Sequence, residues 1–212
     1  MEDSYDAVFE TWNKLAAAYQ ERFMDEDLYN DTYDRFCELI QKQNAAVFEI
    51  GCGPGNVTKY LLAKRPGFKI EAIDAAPNMI ALAKQNNPAA DFSVMDCREI
   101  GKLDSKYDAI ICGFCLPYLS KDDCAKLVND CSELLNNSGI LYLSTIEDDY
   151  SQSAFETSSD GKNTLFVHYY EENFLRKKMQ SNGFEQIETM RKSFSKKDGS
   201  AQTHLIMIGK KK

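Results

Sequence analysis

The chain has 212 residues, 43% hydrophobic and 27% charged, with five prolines and 11 glycines; this fits a single globular domain and excludes disordered, fibrous and membrane classes. A formal net charge of -8 argues against nucleic acid or an anionic membrane as the main partner, because binders of phosphate backbones present a basic patch. Seven cysteines, no basic-then-apolar leader and no apolar run near the roughly 20 residues of a membrane span point to the reducing cytoplasm.

Residues 1–44 carry helical spacing at Val8, Leu15 and Tyr19, and again at Leu28, Phe36, Leu39 and Ile40, which predicts two helices joined near 24–27. From residue 45 to 146 β-rich runs at 46–50, 68–73, 91–95, 107–112 and 140–146 alternate with helical stretches near 56–64, 77–85 and 121–135. Such alternation predicts an α/β fold with a doubly wound, mostly parallel sheet and helices on both faces. Residues 147–163 are polar and rich in Ser and Asp, too long for an ordinary connection, and read as a mobile or substrate-facing loop. An apolar run at 165–167, a helix at 171–181 and two β-rich runs at 184–190 and 203–208 close the chain. The turn residues Lys196-Lys197-Asp198-Gly199 predict that the last two runs form an antiparallel pair. Lys210, Lys211 and Lys212 read as a solvated tail.

Cys112 and Cys115 form the one C-x-x-C, but no second pair accompanies it and the chain has two histidines, so no metal site is expected. Pro117 follows too closely for a thioredoxin-type helix start. Cys124 and Cys131, two helical turns apart beside Leu127 and Leu134, read as core.

The informative segment is Val47-Phe48-Glu49-Ile50-Gly51-Cys52-Gly53-Pro54-Gly55-Asn56, a strand running through three alternate glycines into a helix. Glycines there allow a tight turn and close approach of a nucleotide-like ligand. The dinucleotide fingerprint G-x-G-x-x-G places its third glycine one residue later. Glu49 beside the loop suits a cation, an amino group or a sulfonium, better than a pyrophosphate.

This segment resembles the first motif, E/D-x-G-x-G-x-G, of the class I S-adenosylmethionine (SAM) methyltransferases, and similar motifs follow in order. The resemblance implies a Rossmann-like fold with an antiparallel C-terminal strand and an N-terminal helical lid, SAM as cofactor and S-adenosylhomocysteine as product. It implies that Asp74, 19 residues after Gly55, takes the ribose hydroxyls, and that Met79, in the turn Ala75-Ala76-Pro77-Asn78-Met79, packs on adenine. Asp96 would accept from the adenine amine and the Cys97 amide would donate to a ring nitrogen. Gly113 would end the fourth strand beside the methionine part. In the segment 134–141, Ser138 replaces the first glycine of the family's usual pair. With Tyr19 as a lid residue, the expected cofactor contacts are Tyr19, Glu49, Gly51, Cys52, Gly53, Gly55, Asp74, Ala75, Met79, Asp96, Cys97 and Gly113.

The expected acceptor is a small molecule in an aromatic pocket formed by Phe114, Cys115, Leu116, Pro117 and Tyr118, by residues 147–150, and by Tyr19, Phe23 and Tyr29 of the lid. In-line displacement at a sulfonium methyl demands alignment more than acid–base groups. His168 and Tyr118 are the candidate catalytic side chains, although nothing in the sequence couples His168 to the glycine loop. The alternatives are a non-catalytic binder of SAM or S-adenosylhomocysteine and a nicotinamide-dependent oxidoreductase. The sequence leaves the oligomeric state open.

Overall fold

The computed structural model describes residues 5–157, 163–196 and 199–212, the side chains of residues 186 and 187 excepted. Two helices, α1 (Tyr5–Phe23) and α2 (Asn30–Leu39), precede the alternating unit β1 (Ala46–Ile50), α3 (Asn56–Lys64), β2 (Lys69–Asp74), α4 (Pro77–Asn86), β3 (Asp91–Val94), β4 (Tyr107–Cys112), α5 (Lys121–Leu134) and β5 (Leu135–Glu147). There follow β6 (Ala154–Thr157), β7 (Thr164–Val167), α6 (Glu172–Ser181), β8 (Phe184–Ser195) and β9 (Ala201–Lys211). Seven strands form one sheet in the order β3-β2-β1-β4-β5-β9-β8. Its pairs from β3 to β5 are parallel, and β9 runs antiparallel to both neighbours. The expected mostly parallel sheet with an antiparallel C-terminal strand is therefore present.

Alternation along each central strand loads both faces of the sheet, because successive side chains point to opposite sides. Phe48, Ile110, Leu141 and Met207 join one buried cluster with Leu127 and Cys131 of α5 and Met179 of α6. Val47, Ile111, Tyr142 and Ile206 join a second with Phe36 of α2, Leu61 of α3 and Ala83 of α4. Cys124 and Cys131 are fully buried core residues, as their spacing predicts. Helix α5 opens on Ser120, whose Oγ accepts the Asp123 amide at 3.1 Å, a side-chain cap for an otherwise orphan donor.

Three expectations are corrected. Strand β5 begins at Leu135, not at residue 140: Tyr107 pairs with Leu135 and Ala109 with Ile140, so the intervening residues bulge, with Ser138 at φ 61° where the family's glycine would stand. The segment read as a long loop instead carries β6, which pairs antiparallel with β7, the apolar run expected at 165–167, so that Phe155 opposes Phe166; residues 158–162 lie outside the described residues. Its Ser and Asp content hid the short strand β6. Lys210 and Lys211 belong to β9, and Lys211 Nζ donates to the carbonyls of Ser132 (2.5 Å) and Leu135 (3.1 Å), capping the end of α5. Of the predicted hairpin turn, Lys197 and Asp198 lie outside the described residues, but Ser195 pairs with Ala201 on either side of it. No described helix is long and apolar enough to cross a membrane.

Candidate functional site

The chain reverses winding direction between β1 and β4, so the carboxyl ends of adjacent strands diverge there and leave a crevice. The turn after β1 is pinned at its start: the amides of Gly51 and Cys52 both donate to the Ile73 carbonyl, at 2.8 and 2.9 Å. Gly51 and Gly53 then adopt φ of 71° and 53°, conformations that L side chains rarely take. A Cβ on Gly51 would lie 3.3 Å from Cys115 Cβ, and one on Gly53 would lie 3.6 Å from the Tyr19 ring. Bare backbone therefore faces the crevice.

Asp74, at the end of β2, organises the opposite wall. Its Oδ2 accepts the Gly53 amide at 2.9 Å and its Oδ1 accepts the Ala76 amide at 2.8 Å. Burial raises its pKa, and the two amides oppose that rise. Each oxygen keeps acceptor capacity, since a carboxylate offers about four lone-pair positions. Ala75, Ala76 and Met79 continue this wall, followed by Met95, Asp96 and Cys97 from the end of β3, and by Gly113, Phe114 and Cys115 from the end of β4. Phe114 holds φ of 52°, and its amide donates to Ser144 Oγ at 2.9 Å. The Cys97 and Cys115 sulfurs lie 3.5 Å apart on the cleft wall.

The roof is α1. Tyr5, Val8, Phe9, Trp12 and Tyr19 all line the cleft, and their spacing puts them on one helical face. Asn13 fixes this helix to the start of α4: its Oδ1 accepts the Asn78 amide at 2.7 Å and its carbonyl accepts from Asn78 Nδ2 at 2.9 Å. With α1 in this position the cleft holds about 150 Å³. This is smaller than the roughly 300–1,000 Å³ usual for small-molecule pockets. Trp12 Nε1 is buried in this roof with no hydrogen-bond partner among the described residues. Burial also pushes the Tyr19 hydroxyl up to about 12, with the Asp74 and Glu49 carboxylates adding to the shift.

Of the twelve expected contact residues, nine line the cleft and three do not: Glu49, Cys52 and Gly55. Glu49 is 2% exposed and accepts from Thr58 Oγ1; burial pushes its carboxyl up to about 8, so it is mostly protonated at neutral pH rather than a ready countercharge. Cys52 is a core side chain. Gly55 lies against α4, where its carbonyl accepts from Asn87 Nδ2 at 2.9 Å. Asp96 lies on the wall, but both its oxygens accept from the Arg98 guanidinium, which competes directly with an adenine amine.

The expected aromatic pocket is also redrawn. Tyr19, Phe114, Cys115 and Tyr118 line the cleft, whereas Leu116 and Pro117 are buried behind it. Phe23 packs on Tyr19 at 4.7 Å without reaching the cleft, Tyr29 is core, and residues 147–150 contribute nothing to the lining. Trp12, Tyr5 and Phe9, which sequence reasoning missed, take their place. Their i, i+3, i+4 and i+7 spacing was the available signal, obscured by the polar residues between them. His168 lines a separate cavity with Tyr118; its amide donates to the Pro117 carbonyl at 2.7 Å and its ring stacks on Tyr150 at 5.5 Å. Burial pushes the Tyr118 hydroxyl well up, so it can donate a hydrogen bond but holds its proton at neutral pH.

The fold matches solved structures over nearly its whole length. Magnesium protoporphyrin IX methyltransferase from Synechocystis, solved with bound SAM, aligns with a TM-score of 0.72 at 18% identity, covering 100% of this chain and 98% of that one. The 1,6-didemethyltoxoflavin-N1-methyltransferase from Burkholderia thailandensis, solved with 1,6-didemethyltoxoflavin and S-adenosylhomocysteine, aligns with a TM-score of 0.72 at 17% identity, covering 98% and 88%. At these identities the likeness establishes the fold. In sequence, the malonyl-(acyl-carrier protein) O-methyltransferase of Acetivibrio thermocellus is 34% identical over 110 residues, 51% of this chain and 38% of that protein. The matched stretches span from 20% to 49% of the length of such curated relatives. Residues 19–189 match the family model described as a methyltransferase domain, and to that family the chain belongs.

Proposed function

We propose that the chain is a single-domain methyltransferase that uses SAM and acts on a small molecule. The observation that carries this reading is Asp74, whose part-buried carboxylate bridges Gly53 and Ala76 at the mouth of the crevice and keeps acceptor capacity for a diol. The lining suits the chemistry of a nucleoside: bare glycine backbone on one side, Met79 and Met95 as apolar surfaces on the other, and a roof donor at Trp12 Nε1. SAM supplies a methyl group activated by a positively charged sulfur.

The chain's own residues do the rest by placement. Asp74 takes the ribose hydroxyls; Ala75 and Met79 flank the sugar and base; the Cys97 amide and the Asp96 carboxylate, once it shares its lone pairs between Arg98 and the ligand, read the adenine edge. Gly51, Gly53 and Gly113 leave room for the methionine part, and Glu49 beneath the turn gives up its proton when an amino group approaches. Helix α1 closes over the cleft through Trp12 and Tyr19 and excludes water, which favours displacement at carbon over side reactions. The seven free cysteines support a reducing, cytoplasmic location. The acidic net charge supports a small acceptor over nucleic acid.

Calorimetric titration with SAM and S-adenosylhomocysteine tests this reading. The wild type is expected to bind both, and Asp74→Asn, which keeps an acceptor for one amide but loses the charge, to bind each at least tenfold more weakly. Folded wild type that binds neither ligand would overturn the proposal.

A further inference from the structure

A second cavity, of about 400 Å³, adjoins the cleft and shares Tyr5, Val8 and Tyr118 with it as a partition. Its outer wall is the β6–β7 strand pair, which contributes Phe155 and Phe166, and His168 directly after β7. That volume is within the range of small-molecule sites. The outer-wall rings are set for stacking: Phe155 and Phe166 meet edge to face at 5.1 Å, and Phe166 and His168 at 4.9 Å. Phe155 is 58% exposed, one of two large apolar side chains left so open among the described residues. Its ring therefore stands available at the cavity mouth to stack on a ligand.

The polar groups narrow the chemistry. Asp123 lines the same cavity, where its carboxylate accepts from the hydroxyls of Tyr5 and Ser120. Burial raises its pKa, but these hydroxyls, together with the positive charges of Arg98 and Lys126, hold it below the usual carboxylate range. In the cleft beyond the partition stand Asp74 and Asp96. No lysine or arginine is among the described lining residues of either space; Arg98, behind the lining over the Tyr5 ring, offsets Asp96, which leaves Asp74 and Asp123 as the net charge that disfavours an anion.

From these observations we infer that the second cavity is the acceptor site, and that it takes an uncharged, planar aromatic molecule held between the outer-wall rings and the Tyr118 partition. This inference rests on the methyltransferase reading for the word acceptor, but the binding it asserts is independent of SAM.

The test uses β-naphthol, neutral at pH 7, against hydroxynaphthoate, the same hydroxylated ring bearing a carboxylate, with binding followed by naphthol fluorescence. Wild type is expected to bind β-naphthol at least tenfold more tightly than hydroxynaphthoate. Phe166→Ala and Phe155→Ala are each expected to weaken β-naphthol binding about threefold to tenfold, the range of one aromatic contact. Phe155→Lys, at an exposed position that tolerates the change, is expected to shift the preference toward hydroxynaphthoate by tenfold or more. All three variants should retain wild-type affinity for S-adenosylhomocysteine, so loss at the outer wall is distinguishable from loss of the cofactor site. Equal affinity for the two naphthyl ligands, or β-naphthol binding indifferent to both alanine variants, would overturn the inference even if SAM binds as proposed.

Discussion

Tyr29 Oη lies 2.7 Å from His204 Nδ1, a buried hydrogen bond that joins the N-terminal extension to the last strand across 175 residues. It places α2 and its leading residue inside the fold, unlike α1, which only roofs the cleft. His204 is enclosed by rings: Phe194 stacks at 4.9 Å, and Phe114 tilts against it at 4.8 Å. Its Nε2 is buried without a partner among the described residues.

Burial, helped by the positive charge of Lys196, lowers the His204 pKa to about 4. The unfolded chain takes up this proton near pH 6.5, so the neutral ring's contribution to stability is complete above pH 6.5 and is lost as pH falls from there to 4. His204→Gln retains a partner for Tyr29 but cannot titrate. Urea unfolding at about pH 7.5 and about pH 4.5 should show wild type losing on the order of 2 kcal/mol more than the variant between the two conditions. Equal losses would mean that the histidine titrates normally.

Glu49 has the opposite sign. Its carboxyl is raised from 4.5 to about 8 by burial, so the folded chain holds a proton that the unfolded chain releases, and its contribution to stability falls as pH rises through that window. If the amino group of SAM engages it, the carboxyl must ionise, and binding at pH 7 releases close to one proton. Titrations in phosphate and in Tris, which differ in ionisation enthalpy, should therefore give different apparent heats for wild type and the same heat for Glu49→Gln. Identical wild-type heats in the two buffers would remove Glu49 from the cofactor site.

The parts of this molecule legible in its sequence are those whose causes are local. The glycine turn after β1 and the carboxylate ending β2 declare themselves because a strand, a φ-permissive residue and a charge at a strand end are adjacent in the chain. The role of Asp96 was not legible in full, because Arg98, two residues on, folds back in a 3-10 turn and takes its oxygens. Tyr29 reads as a lid aromatic from its position, and only the register of β9 shows it to be core. Phe114 illustrates the limit: nothing in a Phe flanked by Gly113 and Cys115 foretells a left-handed backbone, which costs of order 1–3 kcal/mol and persists because Ser144 Oγ holds its amide.

Cys97 and Cys115 give a chemical readout of cleft occupancy. Both thiols face the cleft and are pushed well above the ordinary thiol range, Cys97 first by its hydrogen bond with Cys115 and Cys115 first by its hydrogen bond with Cys112. Alkylation by iodoacetamide should therefore be slow at neutral pH and faster at about pH 9, because the thiolate is the nucleophile. Cys115 is partly exposed whereas Cys112 is fully buried, so peptide mapping should find label on the first and not the second. Saturating S-adenosylhomocysteine should slow Cys115 labelling by about tenfold. Undiminished labelling would place the ligand away from the β4 end of the cleft.

Gly55 separates a fold requirement from a binding one. It sits in the signature turn, yet its φ of 83° serves the start of α3, and an added Cβ would meet Asn87 Nδ2 at 2.4 Å. Asn87 is 5% exposed and donates to the Gly55 carbonyl, so it cannot simply swing into solvent. Gly55→Ala should cost about 2–4 kcal/mol, from the left-handed backbone and the displaced amide together, lowering Tm by several degrees. Adding Asn87→Ala should relieve the collision without restoring the backbone preference, and so recover part of the loss only if the contact matters. Below its unfolding transition, Gly55→Ala should bind SAM within about threefold of wild type, because the residue faces α4 rather than the cleft. A tenfold loss of affinity in the folded variant would show instead that the third glycine shapes the ligand-facing backbone of the turn.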